Sequence, residues 1–397
     1  MNYTQGKLEP IRALDGVRGI AILMVIFGHV EIFHRFMLGS DLKLPWADHF
    51  LMRLMENGWM GVQLFFVLSG FLITRILLIR HHHLSSLLSF YGRRIRRIFP
   101  LYYLYLVVYF FLIPLFVDPQ DTDGSKFSFY YDHQIYLWCY LGNFLRENGI
   151  CPSGELMQFW SLAVEEQFYL FMPAIVVLLP KDLLRPACIL MIFLSLAYRL
   201  SATWIWGDSP LNIYVDTFAA IEPIFWGALL AVFMESCDAS SLVRFRPVAK
   251  FVAIMSTGLV TAILISEGQF YQLTTIRYGF SGYFPLVQTF GLSLISLVFV
   301  SSLFLILTSE RDFSILLGNR FITVMGRYSY GIYIFHPMLI GAVILSGLSW
   351  PALSVFFMKI PLVSLICFLM IVIALSLLTG IVSWHLIEKR FLTSRRF

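Results

Sequence analysis

Charged residues are scarce in this 397-residue chain, which has 29 basic and 24 acidic residues and is 13% charged and 58% hydrophobic. Soluble domains are about a quarter charged and about half apolar, so this composition excludes an ordinary soluble domain. The lack of polar residues also excludes a disordered chain. A net charge of +5 without a long basic tail argues against a nucleic-acid partner. The sequence therefore predicts a polytopic membrane protein.

Cysteine is also rare, and the five cysteines do not make a disulfide framework. Cys139 and Cys151 fall in a segment that we expect outside the membrane, where an oxidising compartment would pair them. Two unpaired thiols are the alternative, and the sequence leaves the choice open. The triplet from His81 to His83 has no Cys or carboxylate partner at suitable spacing, so we predict a solvated run and no metal site.

Eleven apolar segments are candidates for spanning helices, because about 20 mostly apolar residues cross the hydrocarbon core. They begin near Val17, Gly58, Phe99, Gln134, Met157, Ala187, Ile213, Val248, Ser281, Phe321 and Ile360. The segment from Gln134 to Leu145 is too short to span. Basic loops place both termini on the cytoplasmic side by the positive-inside bias, which requires an even number of crossings. We therefore predict an all-α transmembrane bundle of about ten spanning helices, with Asp118 to Leu156 outside.

One membrane domain is predicted to occupy residues 1–397, because no linker is long enough for a second, soluble domain. The first apolar segment follows only about a dozen polar residues and lacks a small-residue cleavage site, so it predicts a retained helix rather than a signal peptide. No internal repeat or low-complexity tract interrupts the apolar pattern.

The first predicted helix contains two ionisable residues, Arg18 and His29, eleven positions apart. A charge at bilayer depth costs at least about 2.5 to 3.5 kcal/mol on insertion scales, so such residues usually mark function. Eleven steps of 100° leave both on one helix face, about 16 Å apart along the axis. A cation near the inner mouth and a deeper base fit a long anionic donor. The alternative is that Arg18 snorkels and His29 bonds a neighbouring helix.

Four arginines crowd a predicted cytoplasmic loop, where we expect their guanidinium groups at the membrane surface. The planar guanidinium suits phosphate groups, although such clusters also set topology and contact anionic lipid. These residues are Arg93, Arg94, Arg96 and Arg97. Glu165 and Glu166 are adjacent carboxylates near the outer end of another span. Adjacent helical positions point about 100° apart, so at most one of the two faces a shared cavity squarely.

Five ordered blocks of sequence resemble the acyltransferase-3 family. They are Leu14–Ala21 followed by His29, Gly61–Thr74, Arg94–Pro100, Phe159–Tyr169 and Gly326–Pro337. Members are ten-helix bacterial membrane enzymes that acylate, most often acetylate, hydroxyls of surface polysaccharides, lipopolysaccharide O-antigens and some glycosides. The resemblance implies acyl-coenzyme A as donor, Arg18 and His29 as essential, and Arg94 and Arg97 as important for donor binding or folding. Gln63 and Gln158 stand where many relatives carry an acidic residue and a histidine.

The resemblance and the buried charges together predict an O-acetyltransferase of the bacterial cytoplasmic membrane that uses acetyl-coenzyme A without a metal. His29 is the predicted general base and Arg18 orients the donor, while Glu165 or Glu166 orients His29 or binds sugar hydroxyls. The predicted donor-binding residues are Arg75, Arg93, Arg94, Arg96 and Arg97. The predicted acceptor-binding residues are Asp15, Gln158, Trp160 and His336. The expected partners are acyl-coenzyme A, a glycan or lipid-linked glycan acceptor and membrane lipid, with no nucleic acid.

Several alternatives stay open at the level of sequence. A transporter or flippase of lipid-linked glycan would also hold buried charges in its cavity, although it would favour inverted repeats and broken helices that we do not find. A non-catalytic scaffold would not need the Arg18 and His29 pair. Tryptophans near the outer ends fit either sugar stacking or an interfacial belt, and the belt is the commoner pattern. The acyl group, the acceptor hydroxyl, an acyl-enzyme step and the oligomeric state are not determined.

Overall fold

A computed structural model of the protein describes residues 12–38, 55, 57–80, 84–116, 127–146, 154, 156–266, 285–309, 317–348 and 361–393. These ranges are helical and contain no β-strand. They include eleven helices of eight residues or more: α1 (Arg12–Leu38), α2 (Met60–Arg80), α3 (Leu84–Val107), α4 (Phe159–Leu178), α5 (Lys181–Ser201), α6 (Glu222–Ser236), α7 (Arg246–Ser266), α8 (Leu292–Thr308), α9 (Arg320–Arg327), α10 (Ser329–Leu345) and α11 (Pro361–Ser383). The all-α class predicted from the sequence is confirmed.

Nine helical stretches within the described ranges are long and apolar enough to cross a membrane. Helices α9 and α10 meet at a bend of 83° and make a tenth candidate crossing if they are counted as one span. This agrees with the predicted number of about ten spans, while the side on which the termini lie stays a prediction. The stretch that contains α3 begins at Leu87 rather than near Phe99. The arginine run therefore belongs to a spanning helix, and its predicted placement in a loop was wrong.

Helices α2 and α6 form the centre of the bundle. About two thirds of the apolar stretch of α2 and nearly three quarters of that of α6 are buried by protein. Helix α7 packs mainly against α8 and is almost entirely exposed, with large apolar side chains such as Phe251 and Ile254 on its surface. In a bilayer such a surface contacts lipid tails, so exposed apolar residues carry no penalty there.

Glycines allow the backbones of α2 and α6 to touch. A Cβ atom built on Gly70 would lie 1.9 Å from the carbonyl oxygen of Ile224, and one on Gly227 would lie 1.9 Å from that of Val67. Lipid tails are as apolar as the side chains, so association of membrane helices depends on such close packing. The two glycines thus fix the spacing of the central helix pair.

We expect Gly227→Ala to destabilise the protein, because the added methyl group must push the backbones of α2 and α6 apart. Overpacking of this kind costs about 1 to 3 kcal/mol. The measurement is the Tm in detergent micelles, followed by size-exclusion chromatography of heated samples. Gly258→Ala on α7 is the matched control, since a Cβ atom there meets no atom within 4 Å. An unchanged Tm for Gly227→Ala would contradict this account of the helix contact.

Two ion pairs connect α6 to its neighbours. Arg75 of α2 lies 3.3 Å from Glu235 of α6, and Arg199 of α5 binds Glu222 of α6 in the protein interior. Ser293 of α8 donates to the same Glu222 carboxylate over 2.9 Å. Buried charges are tolerated when they are paired and hydrogen-bonded in this way. These pairs therefore account structurally for four of the charges inside the bundle.

Residues 127–146 do not cross the bundle but enter it between α3 and α4. Two α3 hydroxyls, of Tyr102 and Tyr103, donate to the carbonyl oxygens of Leu137 and Trp138 over 2.8 and 3.0 Å. From α4, the amide of Gln167 donates to the carbonyl oxygen of Tyr140 over 3.0 Å. Gln167 is eight residues into α4, about 12 Å along its axis from the first residue. We call residues 127–146 the inserted segment.

Candidate active site

The guanidinium group of Arg18 projects from the first third of α1 into the interior of the bundle. Its Nη1 atom donates to Oδ1 of Asp15, one helical turn earlier, over 3.1 Å. Arg97 of α3 and Tyr169 of α4 are its other electrostatic neighbours. A quarter of the Arg18 side chain stays accessible to solvent. Within the described ranges Arg18 is therefore held by a single carboxylate and remains open to a second anion.

The arginine run of α3 divides between two faces of the helix. Arg94 lies with its guanidinium carbon 5.6 Å from the ring centre of Phe90 and 5.7 Å from that of Tyr169. Arg97, one turn later, is an electrostatic neighbour of Arg18 and Arg94. Arg93 is exposed on the other face. Helix α3 thus turns Arg94 and Arg97 inward, while the position of the run relative to the membrane surface stays a prediction.

The two adjacent carboxylates of α4 face this arginine pair. Glu165 accepts a hydrogen bond from the Tyr169 hydroxyl over 3.1 Å, and that hydroxyl also bonds Ser69 of α2. Glu166 is an electrostatic neighbour of Arg94, and its Oε1 atom is buried without a hydrogen bond to any described residue. Neither carboxylate bonds His29 in the described structure. The hypothesis that one of them orients His29 or binds sugar hydroxyls stays a prediction.

His29 is oriented by its own helix and paired with a second histidine. Its Nδ1 atom lies 2.9 Å from the carbonyl oxygen of Val25. The ring of His336, on α10, stands perpendicular to it with centroids 4.7 Å apart. Nδ1 of His336 lies 2.9 Å from the carbonyl oxygen of Tyr333. A neutral imidazole has one N–H donor, and in both rings Nδ1 is the atom that faces a carbonyl oxygen. Nδ1 therefore carries the proton, and Nε2 keeps its lone pair.

Polar groups of α4 and α10 connect the histidines to the charged region. The Tyr333 hydroxyl bonds Ser161 and donates to the carbonyl oxygen of Gln158 over 3.0 Å. Gln158 donates to the carbonyl oxygen of Ile334 over 3.3 Å, while its Oε1 atom is buried without a hydrogen bond to a described residue. Tyr333 is also an electrostatic neighbour of Glu165. A row of polar side chains thus runs from the guanidinium groups to the imidazole pair.

Tyr140 of the inserted segment adds a phenol to this row. It is 7% exposed, and its electrostatic neighbours include Tyr330 and Glu166. Burial raises the pKa of the Tyr140 phenol, with a further contribution from nearby Tyr330 and Glu166, so the group stays protonated. Glu388, the last residue of the π-helix Trp384–Glu388 that follows α11, is a buried electrostatic neighbour of Arg97. These two residues were not among the predicted site residues.

Two of the predicted site residues have other surroundings. Arg75 forms the ion pair with Glu235 described above, which joins α2 to α6. Trp160 is 8% exposed, with ring centres of Phe66 and Tyr214 at 5.8 and 4.8 Å. Its ring is packed against protein, whereas Trp204 and Trp206 are more than half exposed in the π-helix Ala202–Trp206 that follows α5, as in an interfacial belt.

Two further predictions fall at the margins of the described chain. Cys139 is a free, exposed thiol, whereas Cys151 and the triplet from His81 to His83 lie outside the described residues. Among the described residues, no group of three or more His, Cys, Asp or Glu side chains is placed to hold a metal ion. Both the cysteine pairing and the absence of a metal therefore stay predictions.

The fold and the polar row define a helical membrane protein whose interior joins guanidinium groups to an unprotonated imidazole nitrogen. Residues 11–380 match the family model described as an acyltransferase domain, so the chain belongs to the acyltransferase-3 family. It is 29% identical over 353 residues to the peptidoglycan O-acetyltransferase OatA of Listeria monocytogenes. It is 25% identical over 341 residues to the O-acetyltransferase OatA of Staphylococcus aureus.

These matches cover 85% and 82% of this chain but 50% of each relative. The chain therefore spans about half the length of the curated relatives it matches. No solved structure matches the chain. The relatives support the kind of chemistry, and the geometry of this chain has to supply the rest of the argument.

Proposed function

We propose that this protein is a membrane O-acetyltransferase that transfers an acetyl group from acetyl-coenzyme A to a hydroxyl of a bacterial cell-surface glycan. The observation that carries the proposal is the pair of imidazoles with free Nε2 atoms, placed at one end of a row that begins with three guanidinium groups. Family membership and the names of the relatives supply the reaction type. Localisation to the bacterial cytoplasmic membrane, with both termini cytoplasmic, is part of the proposal.

Donor binding needs cations that are not already neutralised. Among the described residues, Arg94 and Arg97 form no salt bridge, and Arg18 is bridged to Asp15 alone. Glu166 and Glu388 lie nearby and balance the charge without occupying the donor positions of the guanidinium groups. Guanidinium groups bind phosphate through paired N–H donors. In this proposal Arg94 and Arg97 bind the phosphates of the donor. Arg18 binds the first part of the flexible arm that links the phosphates to the thioester.

The axial separation of Arg18 and His29, about 16 Å on an ideal helix, suits a donor whose reactive thioester lies far from its phosphates. Nε2 of His29 accepts the proton of the acceptor hydroxyl as its oxygen attacks the thioester carbonyl carbon. The C–S bond then breaks, and the imidazolium returns the proton to the departing thiolate. No covalent intermediate on the protein is required, because base and donor lie in the same row.

The acceptor is proposed as a glycan or lipid-linked glycan that reaches the imidazole pair from the outer side. Gln158 supports this assignment, because its buried Oε1 atom has no partner among the described residues and its backbone carbonyl oxygen accepts from the Tyr333 and Ser161 hydroxyls. An amide oxygen in this position accepts a sugar hydroxyl. Peptidoglycan, the substrate in the name of the Listeria relative, is one candidate acceptor, along with other surface polysaccharides.

We expect purified protein in liposomes to release free thiol from acetyl-coenzyme A only when a suitable glycan is present. The product should carry one added acetyl group per thiol released, as measured by mass spectrometry of the glycan. Peptidoglycan fragments, an O-antigen oligosaccharide and a lipid-linked precursor are the acceptors to compare. Movement of lipid-linked glycan across the liposome membrane without thiol release would instead identify a flippase and refute the proposed activity.

A further inference from the structure

The hydroxyl of Tyr140 is a buried polar group that the proposed reaction does not use. The Tyr140 ring stacks on Tyr102 with centroids 4.3 Å apart and on Phe99 at 5.5 Å. Its carbonyl oxygen is held by Gln167, and its φ of 55° lies in the left-handed region. The ring and backbone are therefore fixed. The hydroxyl itself makes no hydrogen bond to any residue that the structure describes.

Glu166 of α4, an electrostatic neighbour of Tyr140, also carries an unpartnered atom. Oε1 of Glu166 is buried and also lacks a hydrogen bond within the described chain, although Glu166 and Tyr140 are electrostatic neighbours. The nearby Tyr330 hydroxyl is already occupied, since it donates to the carbonyl oxygen of Ile98 over 2.6 Å. Buried polar atoms are nearly always satisfied, so two unsatisfied ones on electrostatically coupled side chains indicate a missing ligand.

The chemistry of the two atoms defines what fits between them. The carboxylate oxygen needs a donor and the protonated phenol needs an acceptor. A secondary amide supplies both, with its N–H and its carbonyl oxygen. Glu166 is an electrostatic neighbour of Arg94, and the adjacent Glu165 is an electrostatic neighbour of Tyr333. The place between them is therefore intermediate between the phosphate and thioester ends of the row.

We propose that Tyr140 and Glu166 bind an amide of the pantetheine arm of acyl-coenzyme A. This inference rests on the proposed donor, because the arm of coenzyme A carries two secondary amides between its phosphates and its thioester. It also gives the inserted segment a function. By carrying Tyr140 between α3 and α4, the segment makes donor recognition depend on a part of the chain that does not span the membrane.

We expect Tyr140→Phe to raise the KM for acetyl-coenzyme A about 3- to 10-fold and to leave kcat within a factor of about two. The phenylalanine ring keeps the stacking on Tyr102, so the Tm should not fall. Tyr103→Phe is the matched control, because the Tyr103 hydroxyl donates to the carbonyl oxygen of Trp138 in the same aromatic cluster. That variant should lower the Tm and leave the KM unchanged.

A donor without amides separates recognition of the arm from other effects. With S-acetyl-2-mercaptoethanol as donor, wild type and Tyr140→Phe should have the same kcat/KM. An unchanged KM for acetyl-coenzyme A in Tyr140→Phe would refute the amide contact while leaving the acetyltransferase activity intact. Absence of thiol release by the wild-type protein would refute the proposed donor itself, and the two failures are therefore distinguishable.

Discussion

We expect His29→Ala to lower the rate of acetyl transfer about 10²- to 10⁴-fold, the range typical of a lost general base. The substitution removes the Nε2 lone pair that accepts the hydroxyl proton. It breaks no hydrogen bond to another helix that the structure describes, because His29 Nδ1 bonds the Val25 carbonyl oxygen of its own helix and its ring pairs with the His336 ring. The measurement is glycan-dependent thiol release by purified variants matched for amount and for Tm.

The inserted segment offers a matched control for this substitution. His133 also places Nδ1 2.9 Å from a carbonyl oxygen four residues earlier, that of Phe129, and its ring stacks on Phe129. It is exposed and outside the polar row. His133→Ala should therefore retain the wild-type rate. A His29→Ala protein that is well folded and fully active would disprove the assignment of the base.

The spans could be predicted from the sequence because the thickness of a bilayer imposes a length on every crossing helix. The position of the inserted segment could not be predicted in this way. Hydropathy showed that Gln134 to Leu145 is too short to cross, but its position depends on hydrogen bonds to residues far along the chain. Asn143 donates to Thr217 over 2.7 Å, and Gln167 donates to Asn143 over 3.1 Å. Single amides and hydroxyls of this kind leave no periodic signal.

The site was only partly predictable for a related reason. Charges inside apolar segments are rare because inserting them into a bilayer costs free energy. Arg18, His29 and Glu166 could be identified for this reason. Neutral tyrosines carry no such cost, and Tyr140 and Tyr333 were therefore missed, although Tyr333 stands inside the last of the five sequence blocks. The length of the helix before Arg93 was also underestimated. That error placed Arg94 in a loop, whereas the structure places it on α3, against the rings of Phe90 and Tyr169.

Because the arginine run is divided between two faces of α3, we expect a second large effect, on the KM for the donor. The double variant Arg94→Gln with Arg97→Gln should raise the KM for acetyl-coenzyme A more than about 100-fold. Each hydrogen bond to a charged group contributes about 1.5 to 3 kcal/mol, so two of them account for at least about 3 kcal/mol. The KM is measured by thiol release at saturating glycan concentration, together with the Tm of each variant.

The two arginines on the opposite face of α3 from Arg94 and Arg97 supply a control with the same change in charge. Arg93 is exposed and Arg96 donates to the carbonyl oxygen of Gly92 on its own helix over 3.0 Å. Arg93→Gln with Arg96→Gln should change the KM by less than about threefold, the scale of weak surface charge effects. If the Arg93 and Arg96 variant were the one to raise the KM, the phosphates would bind at the surface of the bundle. The polar row from Arg18 to His29 would then bind only the remaining part of the donor.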